Sequence, residues 1–121
     1  PVYLSHHLLA YFWMLGRDAK RFAFVREATE ELPLGAGALA GVNFDTSRMF
    51  VAQELGVGGG AENSLDAVSN RDFVLDYLYA CAVFHSHASR IGEELCLWST
   101  AEFEFVKLPE SAATGSSISI T

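Results

Sequence analysis

Asn63-Ser64-Leu65-Asp66-Ala67-Val68-Ser69-Asn70-Arg71-Asp72-Phe73-Val74-Leu75 opens the stretch whose reading decides the fold: a polar, turn-forming start that gives way to a long apolar stripe. The stripe runs through Phe73, Tyr77, Cys81, Phe84, Ala88, Ile91, Leu95 and Trp98, at steps of 4, 4, 3, 4, 3, 4 and 3. Such steps keep one face of an α-helix turned toward one partner surface. Ser69, three residues before Asp72, is placed to cap the Asp72 amide, and the Asp72 carboxylate favours the positive end of the helix dipole. No proline follows until Pro109, and the interior Gly92 costs only about 1 kcal/mol relative to alanine. The spacing predicts a helix over 70–107. From about Arg71 to about Lys107 it would be roughly 50 Å long, whereas a single domain of 121 residues is only about 27 Å across. Such a helix overhangs, and its stripe needs partners of similar length, from this chain or from other subunits.

Upstream, 2–31 reads as a second long helix, with Leu4, Leu8, Tyr11, Phe12 and Leu15 on its apolar side and charges gathering from Arg17 onward. The run from Leu8 to Leu15 is apolar on every face, which predicts that this half is buried all round inside a bundle. Pro33 stops the helix, and 33–62 forms the connection. Within it, Leu34-Gly35-Ala36-Gly37-Ala38-Leu39-Ala40-Gly41 is a small-residue segment that lets backbones approach closely. Asp45 or Thr46 can cap a short helix over 47–55, which Gly56 ends. Gly58-Gly59-Gly60 reads as a loose joint. Downstream, Pro109 breaks the helical pattern, and 111–121 is small and polar, a linker composition. The predicted fold class is all-α: a long-helix bundle segment with a short helix and Gly-rich connections between two long helices.

Composition narrows the classes. The chain is 50% hydrophobic and 19% charged, so part of its apolar surface is available to an interface. A net charge of −7, with eight scattered basic residues, argues against a nucleic-acid partner. The longest apolar run, Leu8 to Leu15, is far short of the ~20 residues that span a bilayer. The N-terminus carries neither an initiator methionine nor a signal pattern, which suggests a processed chain or an excised fragment. Cys81 and Cys96 lie on one predicted helix about 22 Å apart, while a disulfide needs α-carbons within about 7 Å. Two free thiols point to a reducing compartment, most simply the cytoplasm.

Several residue groups invite a chemical reading. The glycines at 35, 37 and 41 are spaced G-x-G-x-x-x-G after a helix rather than a strand, so a tight turn fits better than a dinucleotide loop. His85 and His87 point to different helix faces and cannot share one ion with Glu93 or Glu94, and His6 and His7 diverge likewise. No metal is implied. Arg71 and Asp72 read either as a capping pair or as part of an anion site, in which Arg71, beside Asn63, Ser64 and Ser69 at a helix N-terminus, receives a carboxylate. Thr114-Gly115-Ser116-Ser117 on its own reads as linker.

Taken together, Leu32 through Gly41, Asn63 through Leu75, and Trp98 through Phe105 leading to Thr114-Gly115-Ser116-Ser117-Ile118 closely resemble the argininosuccinate lyase family, a branch of the fumarase/aspartase superfamily. The resemblance covers nearly the whole chain in order and spacing, and N-S-L-D-A-V-S-x-R-D-F-V is its most specific string. It implies a partial central helical domain over 1–121, with the serine loop beginning over 109–121 and the flanking parts absent. Four subunits would build a homotetrameric bundle whose active sites form where three of them meet. It also implies cleavage of argininosuccinate to arginine and fumarate, in arginine biosynthesis and without metal or organic cofactor. A base removes a proton beside a carboxylate, an aci-carboxylate carbanion forms, and an acid assists the departing guanidinium group.

The family's base, the first serine of G-S-S-x-M-P-x-K, carries over to Ser116. Arg71, Asn63 and Ser64 are the candidates for substrate contact. After Ile118 the chain reads Ser119-Ile120-Thr121, so the family lysine that supports the serine anion has no counterpart. Pro1 matches the last position of the family's T-H-x-Q-x-A-Q-P, which sets the family histidine just before it. Val42 through Phe50 also departs from the family loop. The expectation is therefore a chain inactive by itself, from a parent enzyme. The alternative within the superfamily is a crystallin-like helical scaffold without catalysis.

Overall fold

The computed structural model describes residues 1–109. Six elements follow one another: α1 (Leu4–Thr29), β1 (Glu31–Leu32), α2 (Arg48–Leu55), β2 (Gly59–Gly60), α3 (Ser64–Ser69) and α4 (Asp72–Trp98). They fall into two units, Pro1–Phe84 and His85–Thr121, with the division inside α4. The architecture is overwhelmingly helical.

In the first unit, α1 stops at Thr29 rather than at 31. The Thr29 hydroxyl donates to the Val25 carbonyl at 2.7 Å, and the Glu30 amide turns to the Glu27 carbonyl at 3.1 Å. Leu32 precedes Pro33, and a pre-proline residue is pushed out of the helical region toward extended backbone. Glu31 and Leu32 accordingly pair in parallel with Gly59 and Gly60. The glycine run read as a loose joint is therefore the partner of a short strand, a correction to a purely helical connection. The Ala61 amide extends the pairing by donating to the Leu32 carbonyl at 3.0 Å.

Ser47, not Asp45 or Thr46, caps α2: its Oγ accepts from the Phe50 amide at 3.2 Å. Gly56 ends that helix in the left-handed region at φ 67°, where a residue without Cβ meets no penalty. The polar opening at 63–72 contains a helix of its own, α3, which the sequence reading treated as turn. Asn63 caps it, its Oδ1 accepting from the Leu65 and Asp66 amides at 3.0 and 3.1 Å.

Side chains that are nearly closed to solvent are mostly small: Val25, Ala36, Ala52, Ala61 and Ala80, with Asp18 among them. Asp18 is 2% exposed and is held by Arg21 Nη1 at 3.0 Å. Between α1 and the first half of α4, Phe22 meets Tyr77 and Phe84 edge-on, with ring centroids 6.3 and 6.2 Å apart. The Leu8–Leu15 run departs from its predicted all-round burial, since Phe12 and Trp13 are each 63% exposed in this chain by itself. A segment apolar on every face needs several neighbours, and one helix covers only one face.

In the second unit, α4 ends at Trp98 and not near Lys107. The Ser99 hydroxyl donates to the Cys96 carbonyl and the Thr100 hydroxyl to the Leu97 carbonyl, each at 2.9 Å. These hydroxyls offer the last carbonyls an alternative to the helix ladder. The Phe105 and Val106 amides then return to the Trp98 carbonyl at 2.9 and 3.2 Å, through Glu104 at φ 47°. Phe103 and Phe105 pack their rings 5.6 Å apart across this reversal.

Candidate functional site

The predicted site residues divide between the first unit and the end of the chain. Asn63, Ser64 and Arg71 lie in one stretch around α3, each hydrogen-bonded to backbone. The Asn63 side chain is taken up in capping. The Ser64 hydroxyl donates to the Leu39 carbonyl at 2.6 Å, which ties α3 to the small-residue segment 34–41. Arg71 Nη1 donates to the Val68 carbonyl at 3.1 Å and to the Asn70 carbonyl at 2.5 Å, so its positive charge sits at the C-terminal end of α3, where the dipole favours a cation. Both bonds run from Nη1, which leaves the Nε and Nη2 donors of an exposed side chain for an anion. Ser116 lies outside the described residues.

The expected Ser69 cap of α4 is replaced. Asn70 Oδ1 accepts from the Asp72 amide at 2.9 Å, while the Ser69 hydroxyl donates to the Leu65 and Asp66 carbonyls within α3. Asn70 does double duty, ending α3 with an extended backbone at ψ 126° and starting α4 with its side chain. The kink thus made sets Arg71 between the two helices.

Ser64, Glu62, Thr46 and Arg48 line a polar groove of about 360 Å³ with Phe44 and both ends of the small-residue segment, Gly35-Ala36 and Ala40-Gly41-Val42. Sequence reasoning passed over Arg48. Its Nη1 donates to the Ala61 carbonyl at 2.8 Å, and its stem crosses Gly35 and Gly60. An ideal Cβ at Gly35 would lie 2.7 Å from Arg48 Cδ, and one at Gly60 would lie 3.6 Å from Arg48 Cβ. Two glycines facing one arginine stem were the signal available, but their partner cannot be read from one-dimensional spacing. Asn63 and Arg71 do not line this groove. Only one of the three predicted substrate residues is therefore part of it.

Among the described residues, no three His, Cys, Asp or Glu side chains come together as a metal-holding group, and no helix is long and apolar enough to cross a membrane. On α4, a hydrogen bond with Cys81 holds the Tyr77 hydroxyl above its ordinary pKa.

A family model described as Lyase matches residues 1–119. Over 118 residues, 98% of this chain, it is 54% identical to argininosuccinate lyases from Symbiobacterium thermophilum and Dehalococcoides mccartyi, covering 26% of each. It is 56% identical to that of Desulforudis audaxviator over the same share of both chains. The chain thus spans about a quarter of the length of the curated relatives it matches. Among solved structures, EDDS lyase in complex with formate superposes with a TM-score of 0.81 at 33% identity, over 86% of this chain and 21% of that one. The chain belongs to the lyase family of the fumarase/aspartase superfamily, and the segment it spans is similar to the corresponding part of argininosuccinate lyases.

Proposed function

We propose that this chain is part of an argininosuccinate lyase, which eliminates arginine from argininosuccinate and leaves fumarate, in arginine biosynthesis. The observation that carries the reading is identity above half with enzymes of that name across 98% of the chain. On this reading the substrate's carboxylates are met by Arg71 through its remaining guanidinium donors, with Asn63 and Ser64, at the other end of α3, as the further substrate contacts. Ser116 is the group that takes the proton from the carbon adjacent to the one that bears the departing nitrogen. A serine hydroxyl does so only if its anion is stabilised by backbone amides and a cation, and the described residues of this chain carry no side chain assigned to that task. The exposed Leu4, Leu8, Phe12 and Trp13 support burial against further helices in a homotetramer, and Cys81 and Cys96, neither of them in a disulfide, support a cytoplasmic setting.

The test is a chimera in which residues 1–109 replace the matched segment of the Symbiobacterium thermophilum enzyme, which retains its own serine loop and histidine. The chimera is expected to release fumarate from argininosuccinate, and Arg71→Ala to weaken turnover by about tenfold or more, as loss of a charged substrate contact does. A folded tetrameric chimera that neither binds nor cleaves argininosuccinate would refute the assignment and leave a helical scaffold.

A further inference from the structure

We infer that Arg48 is a positioning residue for the substrate-facing segment 61–71, an assignment that rests on the proposed lyase reading. Three pieces of chain distant in sequence meet at this one side chain. Its backbone opens α2, its stem lies across Gly35 and Gly60, and its guanidinium holds the Ala61 carbonyl at 2.8 Å. Ala61 is 3% exposed, and its amide is fixed in turn by the Leu32 carbonyl at 3.0 Å. Both polar groups of the Ala61 backbone are thus bound two residues before Asn63, so little slack separates the clamp from the α3 cap.

Ser64 makes a second tie to the glycine segment through the Leu39 carbonyl, and the segment is closed on itself by the Gly41 amide, which donates to the Ala36 carbonyl at 2.8 Å. Arg48 and Ser64, which both line the polar groove, therefore each fasten the glycine segment to the stretch that begins at Ala61. A lysine in place of Arg48 would keep the stem but lose the planar set of donors. A methionine would keep the packing on the two glycines and lose the bond to Ala61. The pair of substitutions separates orientation of 61–71 from bulk packing.

Two measurements test the assignment. In the 121-residue chain, Arg48→Met is expected to speed amide hydrogen exchange at Gly41, Leu65 and Asp66 while the centre of α1 is unaffected. Unchanged exchange at all three overturns the clamp, whatever the catalytic outcome. In the lyase chimera, Arg48→Met is expected to raise KM on the order of tenfold, the change that loss of one charge-assisted hydrogen bond supports, with kcat changed less than twofold and Arg48→Lys recovering part of the loss. A purely structural role would lower the melting temperature and the yield but leave the KM of the folded enzyme unmoved, and that result overturns the positioning role. An unsubstituted chimera without turnover would count against the lyase reading alone, because the exchange measurement decides the clamp independently.

Discussion

Gly35→Ala isolates what the glycine segment demands. Gly35 has φ 89°, and an L-residue in left-handed backbone costs roughly 1–2 kcal/mol. Its new Cβ would also lie 2.7 Å from Arg48 Cδ and 2.9 Å from Cγ. The Arg48 stem must move, and its bond to the Ala61 carbonyl is strained or lost, worth about 1 kcal/mol at a side chain this open to solvent. The expected total is about 2–3 kcal/mol. Urea denaturation of the 121-residue chain, with midpoint and slope both fitted, measures it. In an Arg48→Ala background the steric part vanishes and only the backbone part of about 1–2 kcal/mol should remain, a coupling of about 1 kcal/mol between the two sites. Equal cost of Gly35→Ala in both backgrounds would refute the argument that the arginine stem occupies the space a side chain would need.

Gly37→Ala should cost at least as much and show no dependence on Arg48. At φ 61° its Cβ collides with the Gly41 carbonyl oxygen, a backbone atom that cannot rotate away, and the same denaturation series checks it. Asn63→Ala removes the acceptor for the Leu65 and Asp66 amides and should destabilise by about 0.5–2 kcal/mol, whereas Asn63→Asp should be nearly neutral. Tyr77 titrates above its ordinary value because Cys81 bonds to its hydroxyl. With the folded pKa raised, its contribution to stability is complete below the unfolded pKa and is lost as pH rises through the folded one. Tyrosinate absorbance should show Tyr77 ionising above the ordinary tyrosine value, and Cys81→Ala should lower its titration.

The two long helices were legible in the sequence because a stripe at steps of three and four is a property of chain order alone. The Gly56 terminus was legible for a similar reason, since left-handed backbone at a helix end selects glycine locally. The family, too, came from local strings such as Asn63 through Val74. What the sequence left open depends on which of several competing polar groups reaches a given amide or carbonyl. Ser69 and Asn70 both stand before Asp72, and only the folded path gave the cap to Asn70. Ser99 and Thr100 look tolerable in a helix, yet their hydroxyls take its last carbonyls and end it at Trp98. Pairing of Glu31–Leu32 with Gly59–Gly60 and the grip of Arg48 on Gly35, Gly60 and Ala61 join residues far apart in the chain. Helical periodicity is written in neighbours three and four residues away, so a sequence can declare it. A clamp between distant loops exists only once the chain has closed, and so only the tertiary structure could assign it.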